Sequence, residues 1–289
     1  EMRTGAINRG LLRSGARLAL AVAIAGLVAP ATAAATEYGG GVVGSASNVA
    51  LVGLRTVGNK IQVEVEASPS CGKASDHAIF DLRTPLAADG TFGASVTAHP
   101  SKARSVKLDV TNGSVTGDHA SGQLTMSTST KVGRKTVSCT TGLVGWQARA
   151  VVVPPTGVAS PQAGVTYNGT TSQINAFAPS PFALLVSTDG QQVTRTVFPY
   201  RQRCTHGSIS YTYVSPSAAI KADGSFAVTE RFTQRTGRIV EKFTAEVSGK
   251  FAGNGATGSI RVRSTRRNKK TGKVVATCDT KSFSWGAIL

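Results

Sequence analysis

Val-Thr-Gly-Asp-His-Ala-Ser-Gly-Gln-Leu, at residues 115–124, returns in similar form as Phe-Ala-Gly-Asn-Gly-Ala-Thr-Gly-Ser-Ile at residues 251–260. After each occurrence the chain runs through a polar alternating segment and a basic turn to a cysteine, which is Cys139 or Cys278. A tryptophan follows each cysteine seven residues later. Two matching successions of this length indicate an internal duplication.

Other landmarks recur in the same order and extend the duplication along the chain. Each copy opens on an aromatic residue before a glycine turn, at Tyr38 and at Tyr167. The segments 86–92 and 220–226 each place Asp-Gly between apolar positions, which is a strong signal for a β-hairpin. The two copies are therefore expected to share one fold.

A segment rich in Pro and Gly and poor in charge separates the copies and predicts a short, semi-extended linker. We predict a signal peptide at residues 1–35, β-domain copy 1 at 36–153, the linker at 154–164 and β-domain copy 2 at 165–289.

The N-terminal segment has the pattern of a secretory signal. Four arginines up to Arg17 precede the apolar run Leu18–Val28, and small residues follow at 31–35. The run of 11 residues is shorter than the roughly 20 that span a bilayer. We expect a secreted, extracellular protein, held at a cell surface only through binding, with no membrane span after signal cleavage.

Beyond residue 35, apolar residues alternate with polar ones in many short segments, such as Ile61, Val63 and Val65. Period two is typical of strands with one solvated face, and turn signals separate the segments. We predict an all-β protein with two tandem antiparallel domains, and both a β-sandwich and a β-barrel-like body are compatible with this pattern.

The four cysteines fit export and the duplication. Two per copy predict the disulfides Cys71–Cys139 and Cys204–Cys278. Zinc is the weaker reading because no Cys-x-x-Cys occurs and the histidines are scattered. The fixed distance of the tryptophans from a cysteine favours core residues packed against the bridge over sugar-stacking platforms.

In its overall pattern the chain resembles the uncharacterised secreted, tandemly duplicated all-β proteins of Gram-positive bacteria. The Tyr-x-Gly opening, the Asp-Gly-x-Phe turn, the Gly-x-x-Ala-x-Gly segment and the Cys-to-Trp ending carry this resemblance over nearly the whole chain after the signal. The resemblance implies fold and export, and it assigns no site residue.

Two patterns in the sequence match a nucleotide-binding or a catalytic motif, but each lacks a feature that the motif needs in order to function. The glycines within residues 39–44 satisfy Gly-x-Gly-x-x-Gly, but no helix follows to receive a pyrophosphate. Ser70-x-x-Lys73 and Lys270-Thr-Gly match part of the β-lactamase signature, whose Ser-Asp-Asn element is missing. We therefore expect no enzyme, no cofactor and no metal site.

The strongest functional signal is the difference between the copies in an otherwise basic chain of net charge +17. Copy 1 has 11 Lys and Arg against 8 Asp and Glu, and copy 2 has 17 against 6, so their net charges are about +3 and +11. Copy 2 also holds 13 aromatic residues against 4. The candidate binding residues are Tyr200, Arg201, Arg203, Tyr211, Tyr213, Arg261 and Arg263.

Cationic side chains with flat aromatic faces suit an anionic polymer or a glycan. The leading hypothesis is a secreted non-enzymatic binding module for a cell-envelope, anionic-polymer or saccharide surface, acting mainly through copy 2. One alternative is a structural or adhesive spacer without a specific ligand, and a second is a β-barrel that holds a small apolar ligand. Because the protein is expected outside the cell, we expect no specific nucleic-acid partner, and we expect a monomer.

Overall fold

The computed structural model describes residues 36–43, 49–71, 74–75, 78–150, 156–159, 161–173 and 178–289. The predicted signal peptide and part of the predicted linker lie outside this set. Most of the described residues form β-strands and none forms an α-helix, so the predicted all-β class is confirmed. No helix in these ranges has the length and apolar character needed to cross a membrane.

Eleven strands belong to copy 1. They are β1 (Glu37–Val43), β2 (Val49–Val57), β3 (Lys60–Ala67), β4 (Ser70–Cys71), β5 (Ala74–Ser75), β6 (Ala78–Pro85), β7 (Thr91–Ser101), β8 (Arg104–Thr116), β9 (His119–Val132), β10 (Lys135–Thr140) and β11 (Val144–Arg149).

Ten strands belong to copy 2. They are β12 (Thr166–Thr171), β13 (Pro181–Val186), β14 (Gln192–Cys204), β15 (Ser208–Val214), β16 (Ala218–Ala219), β17 (Ser225–Thr236), β18 (Ile239–Ala252), β19 (Gly255–Asn268), β20 (Val274–Asp279) and β21 (Phe283–Ile288).

Each copy closes its sheet into a barrel-like body. In copy 2 the antiparallel pairs connect β12 to β13, β14, β20, β19 and β21 in turn, and β21 pairs with β12 again. Copy 1 has the same circuit, with β3 and the following β4 in the place of the long β14. A closed circuit of strands leaves fewer free strand edges. Such closure is typical of a barrel-like body and not of a sandwich of two separate sheets.

The duplicated segment, at residues 115–124 and 251–260, contains a hairpin turn and the first part of β9 in copy 1 or of β19 in copy 2. The first half of each strand pairs with the tryptophan strand, β11 or β21, and the second half with the cysteine strand, β10 or β20. On its other side each strand pairs with β8 or β18, which forms a long hairpin with β7 or β17. One strand therefore organises three neighbours in each copy.

Glycine recurs in this segment because the tryptophan ring lies on it. A Cβ at Gly122 would lie 2.7 Å from the indole of Trp146, and one at Gly258 would lie 2.7 Å from the indole of Trp285. Both indoles are buried, so the prediction that they are core residues is confirmed. A larger residue at either glycine would displace the ring from the core.

The predicted disulfides are both present. Cys71 bonds Cys139 and Cys204 bonds Cys278, with sequence separations of 68 and 74 residues. Closing loops of this length contributes about 4 kcal/mol in the chain-entropy model.

The two copies meet backbone to backbone, since β1 packs against β12 and β13 within one compact unit. A Cβ at Gly39 would lie 2.1 Å from the carbonyl oxygen of Gly169, and one at Gly53 would lie 2.2 Å from that of Pro179. The Gly41 N–H donates to the side-chain oxygen of Asn168 at 3.3 Å. Only glycine permits this approach, so the glycines after Tyr38 serve the contact between copies.

A small apolar cluster completes this contact. Leu51 of copy 1 packs with Ala183 and Val197 of copy 2, and all three side chains are fully buried. Removing these surfaces from water favours the association of the two copies.

Gly39→Ala should destabilise the protein by about 2 kcal/mol or more, because the new methyl group meets the Gly169 carbonyl and forces the strands apart. Gly145→Ala is the matched control, since Gly145 lies in a strand and a Cβ there meets no atom within 4 Å. Chemical unfolding monitored by tryptophan fluorescence measures both. Equal midpoints for the two variants would show that the contact between copies contributes little.

Candidate functional site

The alternation of side chains along the strands divides the predicted binding residues into two groups. Strand β14 carries Tyr200, Arg201 and Arg203, strand β15 carries Tyr211 and Tyr213, and strand β19 carries Arg261 and Arg263. The tyrosines face the interior of copy 2, whereas the arginines face outward.

The tyrosines are core residues. Tyr200 and Tyr213 are each only 3% exposed, and Tyr211 is half-buried against Phe243. The Tyr211 hydroxyl donates to Glu241 at 2.9 Å, and the Tyr213 hydroxyl donates to Glu230 at 2.7 Å. The expected role as open stacking faces does not suit Tyr200 and Tyr213, because their rings already contact other rings.

Burial also sets the acidity of these hydroxyls. Desolvation, aided by the hydrogen bond to Glu241, raises the pKa of Tyr211 to about 12. Desolvation raises the pKa of Tyr200 and of Tyr213 further, in the same direction. All three hydroxyls therefore stay neutral to a higher pH than an exposed tyrosine does.

A buried polar network surrounds Glu241 and was not expected from the sequence. The Ser264 hydroxyl donates to one carboxylate oxygen at 2.6 Å, and Arg266 lies 3.3 Å from the other. Gln202 donates to the Val262 carbonyl at 3.0 Å. The carboxylate has donors on both oxygens, so the network is structural: it satisfies polar groups that would otherwise be costly to bury.

Two of the outward arginines, Arg203 and Arg263, lie in a straight row across five strands together with Arg231. The register places Arg231 beside Thr244, Thr244 beside Arg263, Arg263 beside Asp279 and Asp279 beside Arg203. Neighbouring strands are about 4.8 Å apart, so the three arginines recur at intervals of about 10 Å. We call Arg231, Arg263 and Arg203 the arginine row.

Two carboxylates on this face are already paired. Arg261 contacts Asp279 at 2.8 Å, and Arg263 contacts Glu246. The hydrogen bonds from Arg261 hold the pKa of Asp279 below its usual range. Both ion pairs are exposed enough to exchange partners at small cost.

Several cations on the same face have no carboxylate partner among the described residues. These are Arg203, Arg231 and Lys242, all exposed. Arg201 donates to the Ser208 hydroxyl at 2.7 Å and keeps its charge uncompensated. The outward face of copy 2 is therefore strongly positive, as the charge count predicts.

Copy 1 presents a different row at the same place in its fold. The register there aligns Thr97, Lys107, Ser127, Thr140 and Ser70 across β7, β8, β9, β10 and β4. Hydroxyl side chains stand where copy 2 has its arginines. The single lysine of this row is paired with Asp109 at 2.9 Å.

An open cleft of about 1490 Å³ lies beside the Cys204–Cys278 bridge. Four of the predicted binding residues line it: Tyr200, Arg201, Arg203 and Arg263. The rest of the lining is rich in hydroxyl groups, and the walls include two residues of copy 1. The arrangement can hold a polar, negatively charged group between guanidinium and hydroxyl donors.

No cluster of His, Cys, Asp and Glu suited to a metal ion occurs among the residues that the structure describes. Comparison of the chain with family models, with curated proteins and with solved structures finds no match.

The buried tyrosines predict the alkaline behaviour of the protein. All five tyrosines have a raised pKa, so the native protein should contain little tyrosinate at pH 10, where unfolded tyrosine is half ionised. The neutral hydroxyls stabilise the fold fully below about pH 10, and this contribution is lost as the pH rises through the folded-state values. Ultraviolet absorbance of tyrosinate during an alkaline titration measures the effect. Ordinary titration near pH 10 in the folded state would mean that the rings are accessible.

Proposed function

We propose that the protein is a secreted, non-enzymatic binding module for an anionic polymer or glycan of the cell envelope, and that it binds through the outward face of copy 2. Its two disulfides are compatible with an oxidising, extracellular setting.

The observation that carries this proposal is the contrast between the two rows. Both lie at the same position of the same fold, yet copy 1 has Thr97, Ser127 and Ser70 where copy 2 has Arg231, Arg263 and Arg203. Hydroxyl side chains are thus sufficient for folding at these positions. The arginines of copy 2 need another reason, and binding supplies one.

The spacing of the arginine row suits a linear polymer better than a single small ion. Arginines whose backbone positions recur about every 10 Å can each hold one phosphate, sulfate or carboxylate of a repeating chain. Arginine favours such groups because its planar fork makes two parallel hydrogen bonds. Arg261 and Arg263 form exposed ion pairs with Asp279 and Glu246, and a ligand can replace these partners at small cost.

The cleft beside the row adds donors that a saccharide can use. Ser208, Ser210, Thr265 and Thr277 line it together with Arg201. The serine and threonine hydroxyl groups can form hydrogen bonds with sugar hydroxyls, and the arginine can form an ion pair with an acidic substituent of the glycan. A charged glycan therefore suits the whole surface, whereas an uncharged apolar ligand suits neither the row nor the cleft.

Replacing the arginine row with its copy 1 counterpart tests this proposal. Arg203→Ser with Arg231→Thr and Arg263→Ser should weaken retention on purified cell wall or immobilised heparin by about tenfold to a hundredfold, since each exposed ion pair contributes up to about 1 kcal/mol. Binding by the parent protein should fall as salt shortens the screening length to about 8 Å. Affinity measured at several salt concentrations provides both results.

The control removes the same number of charges elsewhere on the surface. Lys60→Ser with Lys221→Ser and Lys250→Ser should change retention only slightly, because these exposed lysines lie outside the row. Equal losses of retention by the two triple variants would show that net charge alone, and not the position of the arginine row, determines binding. Normal binding by the row variant would favour the alternative of a spacer without a specific ligand.

A further inference from the structure

The tips of two long hairpins in copy 2 lie together at one end of the sheet. The backbone N–H of Lys269, in the β19–β20 turn, donates to the carbonyl of Arg238, in the β17–β18 turn, at 2.8 Å. We call the joined turns the basic tip, and its exposed cations are Arg235, Arg238, Arg267, Lys269, Lys270 and Lys273. Among the described residues none of these six has a carboxylate partner.

The β19–β20 turn is ordered by its own hydrogen bonds. The side-chain oxygen of Asn268 accepts from the N–H groups of Lys270 and Thr271 at 2.9 and 3.1 Å, and its carbonyl accepts from Gly272 at 2.8 Å. The Arg267 guanidinium donates to the Gly272 carbonyl at 3.2 Å. Because the turn is already ordered, it loses little conformational entropy when its charged side chains bind a partner.

Apolar side chains project among these cations. Val274 is 49% exposed and Val275 is 41% exposed, directly after Lys273. The register of β19 and β20 shifts beside Arg267, so that Val275 is the extra residue of a β-bulge and has no partner across the ladder.

Copy 1 repeats the combination with a different sequence. There the Lys131 N–H donates to the Ala103 carbonyl at 2.7 Å and joins the same two hairpins. Val132 and Val137, which flank Arg134, are 63% and 43% exposed. Four of the eight large hydrophobic side chains that are exposed in the described part of the chain thus lie at the two tips.

We propose that the basic tip binds the surface of an anionic lipid bilayer. Lysine and arginine near such a surface are attracted to its lipid phosphates, and exposed aliphatic side chains can enter the boundary between headgroups and acyl chains. A solvated turn does not require the valines, and a soluble polyanion offers them no apolar environment. This inference goes beyond the proposed polymer binding and uses different residues.

The test uses the purified protein and sedimented vesicles of equimolar phosphatidylcholine and phosphatidylglycerol, with pure phosphatidylcholine vesicles as the reference. We expect retention on the anionic vesicles alone, decreasing with salt. Lys269→Ser with Lys270→Ser and Lys273→Ser should lower the partition coefficient about a hundredfold, since each lysine near the surface contributes about fivefold. Equal retention on both kinds of vesicle would overturn the proposal.

The valines are tested separately because they distinguish a bilayer from any other polyanion. Val274→Ser with Val275→Ser should lower vesicle binding about tenfold and leave binding to soluble heparin unchanged, which also verifies that the variant is folded. Val57→Ser is the matched control, since Val57 is exposed at the end of β2 beside another hairpin turn and should have no effect. Unchanged vesicle binding by the double valine variant would contradict insertion.

The charge control keeps this proposal separate from polymer binding. Lys60→Ser with Lys221→Ser and Lys250→Ser should leave vesicle binding nearly unchanged, and a loss as large as that of the tip variant would reduce the effect to net charge. Variants of the arginine row should lose polymer binding and keep vesicle binding. Variants of the tip should lose vesicle binding and keep polymer binding, so each proposal can fail alone.

Discussion

The bond between Cys204 and Cys278 closes the circuit of strands in copy 2. Strands β14 and β20 pair at only two positions, Arg203 with Asp279 and Cys204 with Cys278, and the disulfide makes the second of these covalent. Without it, two residue pairs alone would have to join β14 to β20, at positions that are 74 residues apart in sequence. The bridge thereby places Arg203 at the end of the arginine row and forms one wall of the cleft.

Glycine supplies the other constraint. In both copies it makes room for a buried indole, and between the copies Gly39 and Gly169 allow two backbones to touch. At these glycines the atoms in contact belong to the backbone. A larger residue could not be accommodated by a change of side-chain rotamer, because the backbone itself would have to move. The interior uses the inward residues, whereas the contact between copies uses the opposite faces of other strands, at positions such as Leu51 and Ala183. The outward face of β17 to β20 is left available for binding.

Much of the fold could be predicted from the sequence because the duplication repeats local signals. Turns, alternation and cysteine spacing predict the all-β class and both bridges, whereas the choice between a sandwich and a barrel-like body stays open at the level of sequence. Arg261 and Arg263 are predicted to face outward because Ile260 and Val262 beside them are apolar. These inferences need only near neighbours along the chain.

The features of the structure that could not be predicted depend on the register between strands that are distant in sequence. Alternation puts Tyr211 and Tyr213 on one face, but which face is inward follows from their contacts with β17 and β18. Arg231 was not predicted as a site residue because its place in the row is set by β18, and β18 in turn by β19. The contact of Gly39 with Gly169 joins segments of different copies, and no local pattern indicates it.

The central claim, that the outward face of copy 2 binds an anionic polymer, is tested most directly by backbone amide NMR during titration with a soluble anionic oligosaccharide. We expect chemical-shift changes concentrated at Arg203, Arg231, Arg263 and the residues that line the cleft, with small changes across β7, β8 and β9. Comparable changes on the two rows, or shifts spread evenly over all exposed lysines and arginines, would contradict it.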